Sequence, residues 1–451
     1  MQIVLLSGGS GKRLWPLSNE IRSKAFLRLL RSETGGTESM IQRVCRGLAH
    51  TGLLQSCSIV THQSQVEITR SHIGDAIPIL GEPQKRGTFT AVALAASYLY
   101  SVRGISPAET VVVLPVDSYV DRSFYELLHR LPAVLADSQA DIALIGSVPR
   151  SPSAEFGYIV PQEGNVRADY FTVAKFIEKP VPTVAGSLIA RQALWNCGVF
   201  ACSLQFLLTS LKDRGLPLDY REFRERYDEW PQESFDREVL EKTRHAVAIP
   251  YNGTWKDLGT WGSLTAHLEE KVYGAGRISE DCSNTHLVNE LPCPVYVIGV
   301  SDLIVAACPD GILVGDKSRV HLIKDELGDL PVRTMYEEKR WGTCRVLDDS
   351  RTELNKDVVT RKIELHAGKS TSYHWHRHTE ECWTILSGSG EYMLDGIVCP
   401  ISAGGILRIP AGTRHAIKAE TALVFLQVEI GGSGGEEDLI REPLDGKWAS
   451  S

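Results

Sequence analysis

Across the first two-thirds of the chain, short runs of Val, Ile and Leu alternate with longer stretches in which apolar residues recur at helical spacing. Residues 3–7, 58–61, 111–116 and 141–147 are short segments rich in Val, Ile and Leu, the pattern of short buried strands. Residues 39–48, 90–99 and 124–135 carry the helical pattern between them, and 205–212 and 264–271 continue it. Strand and helix in alternation predict an α/β domain with a mainly parallel sheet. From about residue 284 the texture changes. Residues 295–300, 303–307 and 311–314 predict short strands parted by turn residues, with no long helix. From 343 to 430 the chain is nearly all short apolar runs and Gly/Pro turns, which predicts a β-barrel or sandwich. Residues 431–435 are Gly-rich and predict a loop. The opening run, Met1 to Leu6, lacks a basic leader and is followed at once by Ser and Gly, so it predicts a first strand instead of a signal peptide.

Length and composition fit that division. A chain of 451 residues suits two or three domains. Hydrophobic content of 43% and charged content of 23% are those of a soluble globular protein. A net charge of −8 speaks against a non-specific nucleic-acid footprint. No apolar run reaches the roughly 18 residues of a membrane helix. The ten cysteines form no CxxC pair and no dense framework, which predicts reduced, mostly buried thiols in a cytoplasm.

The strongest local feature lies where the first strand ends. Ser7-Gly8-Gly9-Ser10-Gly11-Lys12-Arg13-Leu14-Trp15-Pro16-Leu17-Ser18 packs three glycines and two cations into a strand-to-helix turn. Glycines let backbone N–H groups approach a phosphate closely, and the cations balance its charge. The spacing is not that of a Walker A loop, because Arg13 stands where Ser or Thr would follow the Lys. Nor is it the dinucleotide fingerprint, because Leu14 stands where the last Gly would be. Asp117 follows the run Val111-Val112-Val113-Leu114, at the carboxyl edge of a predicted strand, where α/β folds bind ligands. Alone, such an Asp reads equally well as a turn or helix cap.

GGSGKRLWPLS, followed by Ser23-Lys24-Ala25-Phe26-Leu27, resembles the signature of the sugar-1-phosphate nucleotidylyltransferases, in the form found in mannose-1-phosphate guanylyltransferases. Further motifs arrive in that family's order. Glu82-Pro83-x-x-Arg86-Gly87-Thr88 resembles the base-reading loop. Leu114-Pro115-Val116-Asp117 and Trp255-Lys256-Asp257-Leu258-Gly259-Thr260-Trp261 resemble the two segments that carry metal-binding Asp residues. Phe156-Gly157-Tyr158-Ile159, Phe176-Ile177-Glu178-Lys179-Pro180 and Trp195-Asn196-x-Gly198 resemble the sugar-phosphate site.

The resemblance implies a Rossmann-like nucleotidyltransferase that joins a sugar 1-phosphate, most often mannose 1-phosphate, to GTP. The products are a GDP-sugar and pyrophosphate, as in GDP-mannose biosynthesis for polysaccharides. It implies Mg²⁺ held by Asp117 and Asp257, with Arg13 and Lys24 stabilising the triphosphate. It places Ser7, Gly8, Gly9, Gly11, Lys12, Arg13, Glu82, Arg86, Gly87 and Thr88 around the nucleotide. Gly157, Glu178, Lys179 and Asn196 fall around the sugar phosphate. Such a transfer asks the protein for positioning and charge neutralisation more than for covalent help. Two departures from the family pattern matter. Ala25 stands where the family has Gln, and Gly87 where it has Asn, so two amides near the nucleotide are lost. Another sugar 1-phosphate or another nucleoside triphosphate therefore stays open.

The last part of the chain carries a second constellation: Gly368-x5-His374-x-His376-x4-Glu381-x6-Gly388 and Gly404-x5-Pro410-x-Gly412-x2-His415. Residues two apart on a strand face one side, so His374 and His376 can aim inward together. Glu381 and His415 complete a set of three nitrogens and one carboxylate suited to Fe, Mn, Ni or Zn. His378 extends the alternation. Both groups resemble the two halves of the cupin motif. A nucleotidyltransferase followed by a cupin resembles the bifunctional mannose-6-phosphate isomerase/mannose-1-phosphate guanylyltransferases, and Arg340-Trp341-Gly342 resembles the segment before their barrel. Here His374 replaces a Gln of the isomerase motif, Thr379 an Arg and Cys382 a His. Losing the Arg removes a phosphate partner, so a cupin that does not isomerise is an equal alternative. A non-catalytic sugar-nucleotide sensor is the reading from another class; the presence of Arg13, Lys24, Asp117 and Asp257 speaks against it. The expected organisation is a nucleotidyltransferase domain over 1–275, a β-rich, β-helix-like connector over 276–335 and a cupin over 336–451. The expected setting is a cytoplasmic homo-oligomer without nucleic-acid or membrane partners.

Overall fold

The computed structural model describes residues 1–9, 12–166, 169–328, 333–352, 356–431 and 438–443. The chain forms two compact units. The first comprises residues 1–66, 72–270 and 317–324, and the second 67–71, 271–316 and the described residues from 325 onward.

One sheet of nine strands organises the first unit. These are β1 (Gln2–Ser7), β2 (Cys57–His62), β3 (Ile79–Glu82), β4 (Thr110–Pro115), β5 (Ile142–Ser147), β6 (Tyr158–Val166), β7 (Phe171–Ile177), β8 (Leu194–Ser203) and β9 (Ala246–Tyr251), in the order β3-β2-β1-β4-β8-β5-β9-β7-β6. β1 to β4 run parallel, as do β5 and β9. β8 lies antiparallel between β4 and β5, and β7 pairs antiparallel with both β9 and β6. The sheet is therefore mixed, and its parallel strands include those announced by apolar runs. β4 and β5 are buried almost end to end, which demands a continuous apolar stretch. β7 carries exposed residues in its middle, so no such stretch marks it.

The helices follow their sequence patterns with local corrections. Met40–His50 starts at Ser39, whose side chain accepts from the Gln42 N–H while Gln42 reaches back to the Ser39 N–H. Gly87–Ser97 is buried at every residue from Phe89 onward, and packs against Leu204–Lys212 and Phe235–Glu238. The helix expected over 124–135 is two helices, Arg122–Leu128 and Leu131–Ser138. Pro132 sits in the first turn of the second, where its missing N–H costs nothing, so the chain stops and restarts there. The helix expected over 264–271 is the short Trp261–Thr265, capped by Thr260 and Ser263. Beyond it only Ala266 and Leu268 are apolar before Val272, too few for a helical face to continue.

In the second unit, Val272–Gly274, His286–Asn289 and Leu303–Cys308 stack as parallel strands, and Gly276–Ile278 pairs parallel with Val295–Val297. Cys282, Leu287, Val297 and Val305 are buried between them. Two further sheets follow and close a β-barrel. One has six strands, ordered Tyr336–Lys339, Gly342–Arg351, Asp357–Leu365, Leu423–Gly431, Glu380–Ser387 and Ile406–Ile409. The other has five, ordered Ile397–Ser402, Ser389–Leu394, His415–Ala419, His374–His376 and Leu439–Arg441. Ile363, Trp383 and Phe425 of the first sheet meet Ile401 and Ile417 of the second in one core. Gly431 ends a strand, and residues 432–435 of the expected loop lie outside the described residues. Among the described residues, no helix is long and apolar enough to cross a membrane.

Candidate active site and metal centre

β1 delivers the glycine-rich loop. Ser7 is buried at its end, and its carbonyl accepts from Thr61 Oγ1 at 2.7 Å. Gly8 and Gly9 are exposed, and a Cβ on either would meet nothing within 4 Å, so the backbone lies open to an approaching ligand. Gly11 lies outside the described residues. Lys12 opens a short 3-10 turn in which Arg13 is exposed.

Asp117 turns the chain between β4 and the strand Ser118–Val120. That strand pairs antiparallel with Trp255–Asp257, which sets Asp257 opposite Ser118. Buried Trp261 donates its Nε1–H to the Trp15 carbonyl at 3.1 Å, tying the Asp257 segment to the N-terminal loop. Gly259 keeps space for the Asp257 carboxylate: a Cβ there would sit 2.9 Å from Oδ1. Both carboxylates then converge on one cation. Lys24 Nζ lies 2.7 Å from Asp257 Oδ1 and 2.9 Å from Asp117 Oδ2. Burial pulls the Lys24 ammonium down, but Asp117 and Asp257 outweigh it and raise its pKa. Two carboxylates close enough to share one ammonium supply the hard oxygen donors that Mg²⁺ takes alongside substrate phosphates, so the residues present fit that ion.

The segment after β3 is bound to its own protein. Glu82 is buried, Tyr227 donates its hydroxyl to it, and burial pushes its carboxyl up to about 7. Arg86 donates to the Trp230 carbonyl at 2.8 Å, and Thr88 Oγ1 accepts from the Phe235 N–H at 2.9 Å. Gly87 has φ +83°, and a Cβ there would fall 2.3 Å from the Glu233 carbonyl oxygen. Any side chain at 87 would push residues 230–235 aside, which is why glycine stands there in this chain. Ala25 is buried and presents only a methyl group.

Gly157 just before β6, Glu178 just after β7 and Asn196 on β8 come together. A Cβ on Gly157 would fall 2.6 Å from Glu178 Oε2, and the Gly157 carbonyl accepts from the Asn196 N–H at 2.8 Å. Asn196 Nδ2 donates to Asp236 Oδ1 at 3.1 Å. Burial, reinforced by Glu178, pushes Asp236 up to about 6. Lys179 is exposed and 3.2 Å from Glu178. Phe156 packs against Trp195 and Trp255, with centroids 4.9 and 5.3 Å away. Asp236 and Tyr227 were not legible as site residues, because each reaches its partner through the fold and neither sits in a recognisable local pattern.

The barrel gathers the second constellation. His374 and His376 share a strand that pairs with His415–Ala419, and Glu381 rises from the next strand. Their ligand atoms lie within 4.8 Å of one another. His376, Glu381 and His415 are buried, and His374 is half-buried. His376 Nε2 lies 2.8 Å from Glu381 Oε1, yet His376 Nε2, Glu381 Oε1 and His415 Nε2 are buried without a well-formed hydrogen bond. Burial, with His415 beside it, lowers His374 to about 4. Burial also opposes charge on His376 and Glu381, but each outweighs it for the other: His376 is raised and Glu381 lowered. Inward ligand atoms without good hydrogen bonds, converging from three imidazoles and one carboxylate, fit a divalent transition metal. His378 is exposed and stands outside the group, because the strand ends at His376.

The nucleotidyl transferase family pattern matches residues 2–271, and the cupin domain pattern matches residues 361–429. A mannose-1-phosphate guanylyltransferase from Escherichia coli is 29% identical, covering 97% of this chain and 98% of its own length. Xanthan biosynthesis protein XanB from Xanthomonas campestris pv. campestris is 27% identical, covering 97% of each chain. A solved structure, described as a mannose-1-phosphate geranyltransferase from Thermus thermophilus, is 27% identical with TM-score 0.61, covering 73% of this chain and 98% of its own. The glycine-rich loop, the paired carboxylates on Lys24 and the family match point the same way: this chain belongs to the nucleotidyl transferase family and carries a cupin domain behind its transferase.

Proposed function

We propose that the chain transfers a nucleotidyl group from GTP to mannose 1-phosphate, giving GDP-mannose and pyrophosphate. The single observation that carries this reading is the convergence of Asp117 and Asp257 on Lys24 in a unit that also presents the glycine-rich loop. Full-length likeness to a mannose-1-phosphate guanylyltransferase supports the choice of base and sugar. In this mechanism the open backbone at Gly8 and Gly9, with Lys12 and Arg13, cradles the triphosphate. Asp117 and Asp257 hold Mg²⁺, which supplies charge neutralisation on the phosphates when bound. Lys24 is released from the carboxylates to stabilise charge on the departing pyrophosphate. Glu178 and Asn196 hold sugar hydroxyls, Asp236 fixes the Asn196 amide, and Lys179 meets the sugar phosphate. Arg86 and Thr88 shape the nucleotide loop through the 230–235 segment. Buried Glu82 holds that loop through Tyr227.

The reading divides the chain into a transferase over 1–275, a connector over 276–335 and a cupin over 336–451. The cupin holds one Fe, Mn, Ni or Zn ion on His374, His376, Glu381 and His415. Aldose–ketose isomerisation of a hexose phosphate is its candidate second activity, the chemistry a metal and a base can supply. The test is an assay of purified chain with GTP, ATP, CTP and dTTP against mannose, glucose and other sugar 1-phosphates. GTP with mannose 1-phosphate should dominate by kcat/KM; a different preferred pair would overturn the substrate reading.

A further inference from the structure

We propose that Asp438, brought back to the barrel by the strand Leu439–Arg441, is the positioning residue of the cupin metal centre. It rests on the reading that His374, His376, Glu381 and His415 hold a metal. The strand pairs antiparallel with the one that carries the first two histidines, His376 opposite Leu439 and His374 opposite Arg441. Asp438 stands just before it and is 8% exposed. One carboxylate oxygen, Oδ2, lies 3.2 Å from His376 Nδ1, and the other, Oδ1, accepts from the His378 N–H at 2.8 Å. The Asp438 carbonyl accepts from the Arg377 N–H at 3.0 Å.

The three rings are fixed in the same sense by different acceptors. His374 Nδ1 meets the Ser372 carbonyl at 2.8 Å, and His415 Nδ1 meets the Thr413 carbonyl at 2.9 Å. Each contact holds the proton on Nδ1 and leaves Nε2 to face the centre. Of the three, His376 alone is held by a carboxylate. An ionised acceptor makes the stronger hydrogen bond and the more basic imidazole, and so the better ligand. Both oxygens of Asp438 are in use, so an Asn could accept at only one of its two contacts.

The strand is anchored separately at its far end, which provides a control. Glu442 accepts from Trp375 Nε1 at 3.0 Å and from Arg414 Nε at 2.7 Å, and its own N–H donates to the Tyr373 carbonyl at 3.0 Å. Glu442→Gln loosens the same strand without touching His376.

The experiment titrates Co²⁺ into the metal-stripped full chain and into its Asp438→Asn and Glu442→Gln variants, reading affinity by calorimetry and ligand field by visible absorption. Folding of each variant is checked by its thermal melt. Asp438→Asn should weaken Co²⁺ binding about 10–100-fold, the scale for losing a partner of a metal-bound imidazole, and shift the Co²⁺ absorption bands. Glu442→Gln should stay within about twofold of wild type, with unchanged bands. Equal affinities and spectra for Asp438→Asn and wild type would overturn the proposal. So would an equal loss in Glu442→Gln, which would assign the effect to strand docking. Wild-type chain that binds no Co²⁺ at all would overturn the metal reading itself, and the proposal with it.

Discussion

The two carboxylate clusters balance their charge in opposite ways. Asp117 and Asp257 are about one-third exposed and share the single Lys24 ammonium between them, which offsets half of their charge. Glu381 is almost wholly buried among imidazoles, and three inward atoms of its group lack good hydrogen bonds. The first arrangement can exchange its counter-ion, because a lysine on a flexible stem can swing away when a divalent ion arrives with phosphates. Among the described residues the second has no Lys or Arg paired with Glu381, and its donors are fixed from behind by carbonyls and by Asp438. The difference suits the first group to a hard ion that comes and goes with substrate and the second to a resident transition metal, as the proposed function requires.

The largest effect that can break this comparison is removal of a transferase carboxylate. Asp117→Ala or Asp257→Ala should lower pyrophosphate release by about 10³-fold or more, the scale of losing charge stabilisation in phosphoryl transfer. Turnover near wild type in either would overturn the assignment of one Mg²⁺ to the Asp117–Asp257 pair. Next is Lys24→Met, which should act in two directions. Turnover should fall about 10²-fold, while Mn²⁺ binding to nucleotide-free protein, followed by electron paramagnetic resonance, should tighten because no ammonium competes. Weaker Mn²⁺ binding in this variant would contradict the exchange of one cation for the other. At the other site, His376→Ala should take the transition metal from about one per chain to background in elemental analysis.

The smallest effect concerns a third way of handling a buried carboxylate, with a proton. Glu82 is raised from 4.5 to about 7. Below pH 4.5 the folded and unfolded chains both hold the proton, and between 4.5 and about 7 the unfolded chain releases it first. Wild type therefore loses stability as pH rises through that window, and Glu82→Gln, with no proton to lose, does not. Denaturant melts at about pH 5 and about pH 8 should show the variant gaining on wild type by up to about 3 kcal/mol. An identical difference at both pH values would show that Glu82 ionises normally.

Much of the fold was legible because its buried strands are short segments rich in Val, Ile and Leu. Residues 58–61 and 141–147 lie within or one residue outside the strands Cys57–His62 and Ile142–Ser147. The convergence of His374, His376, Glu381 and His415 was legible too, since strand alternation and two glycine-bounded segments bring them together. What escaped were residues whose role depends on chain return. Asp236 meets Asn196, Tyr227 meets Glu82 and Asp438 meets His376, each across at least forty residues of sequence. No local spacing encodes such contacts. The departure at Gly87 was visible but its reason was not, because that reason is the carbonyl of Glu233.

The most direct measurement is pyrophosphate release from GTP and mannose 1-phosphate by full chain stripped with a chelator and then given Mg²⁺ alone. Full turnover should return while elemental analysis still finds no transition metal. Turnover that persists in the chelator, or that stays lost until a transition metal is restored, would contradict the division of the two sites into an exchangeable hard-ion centre and a separate resident-metal centre.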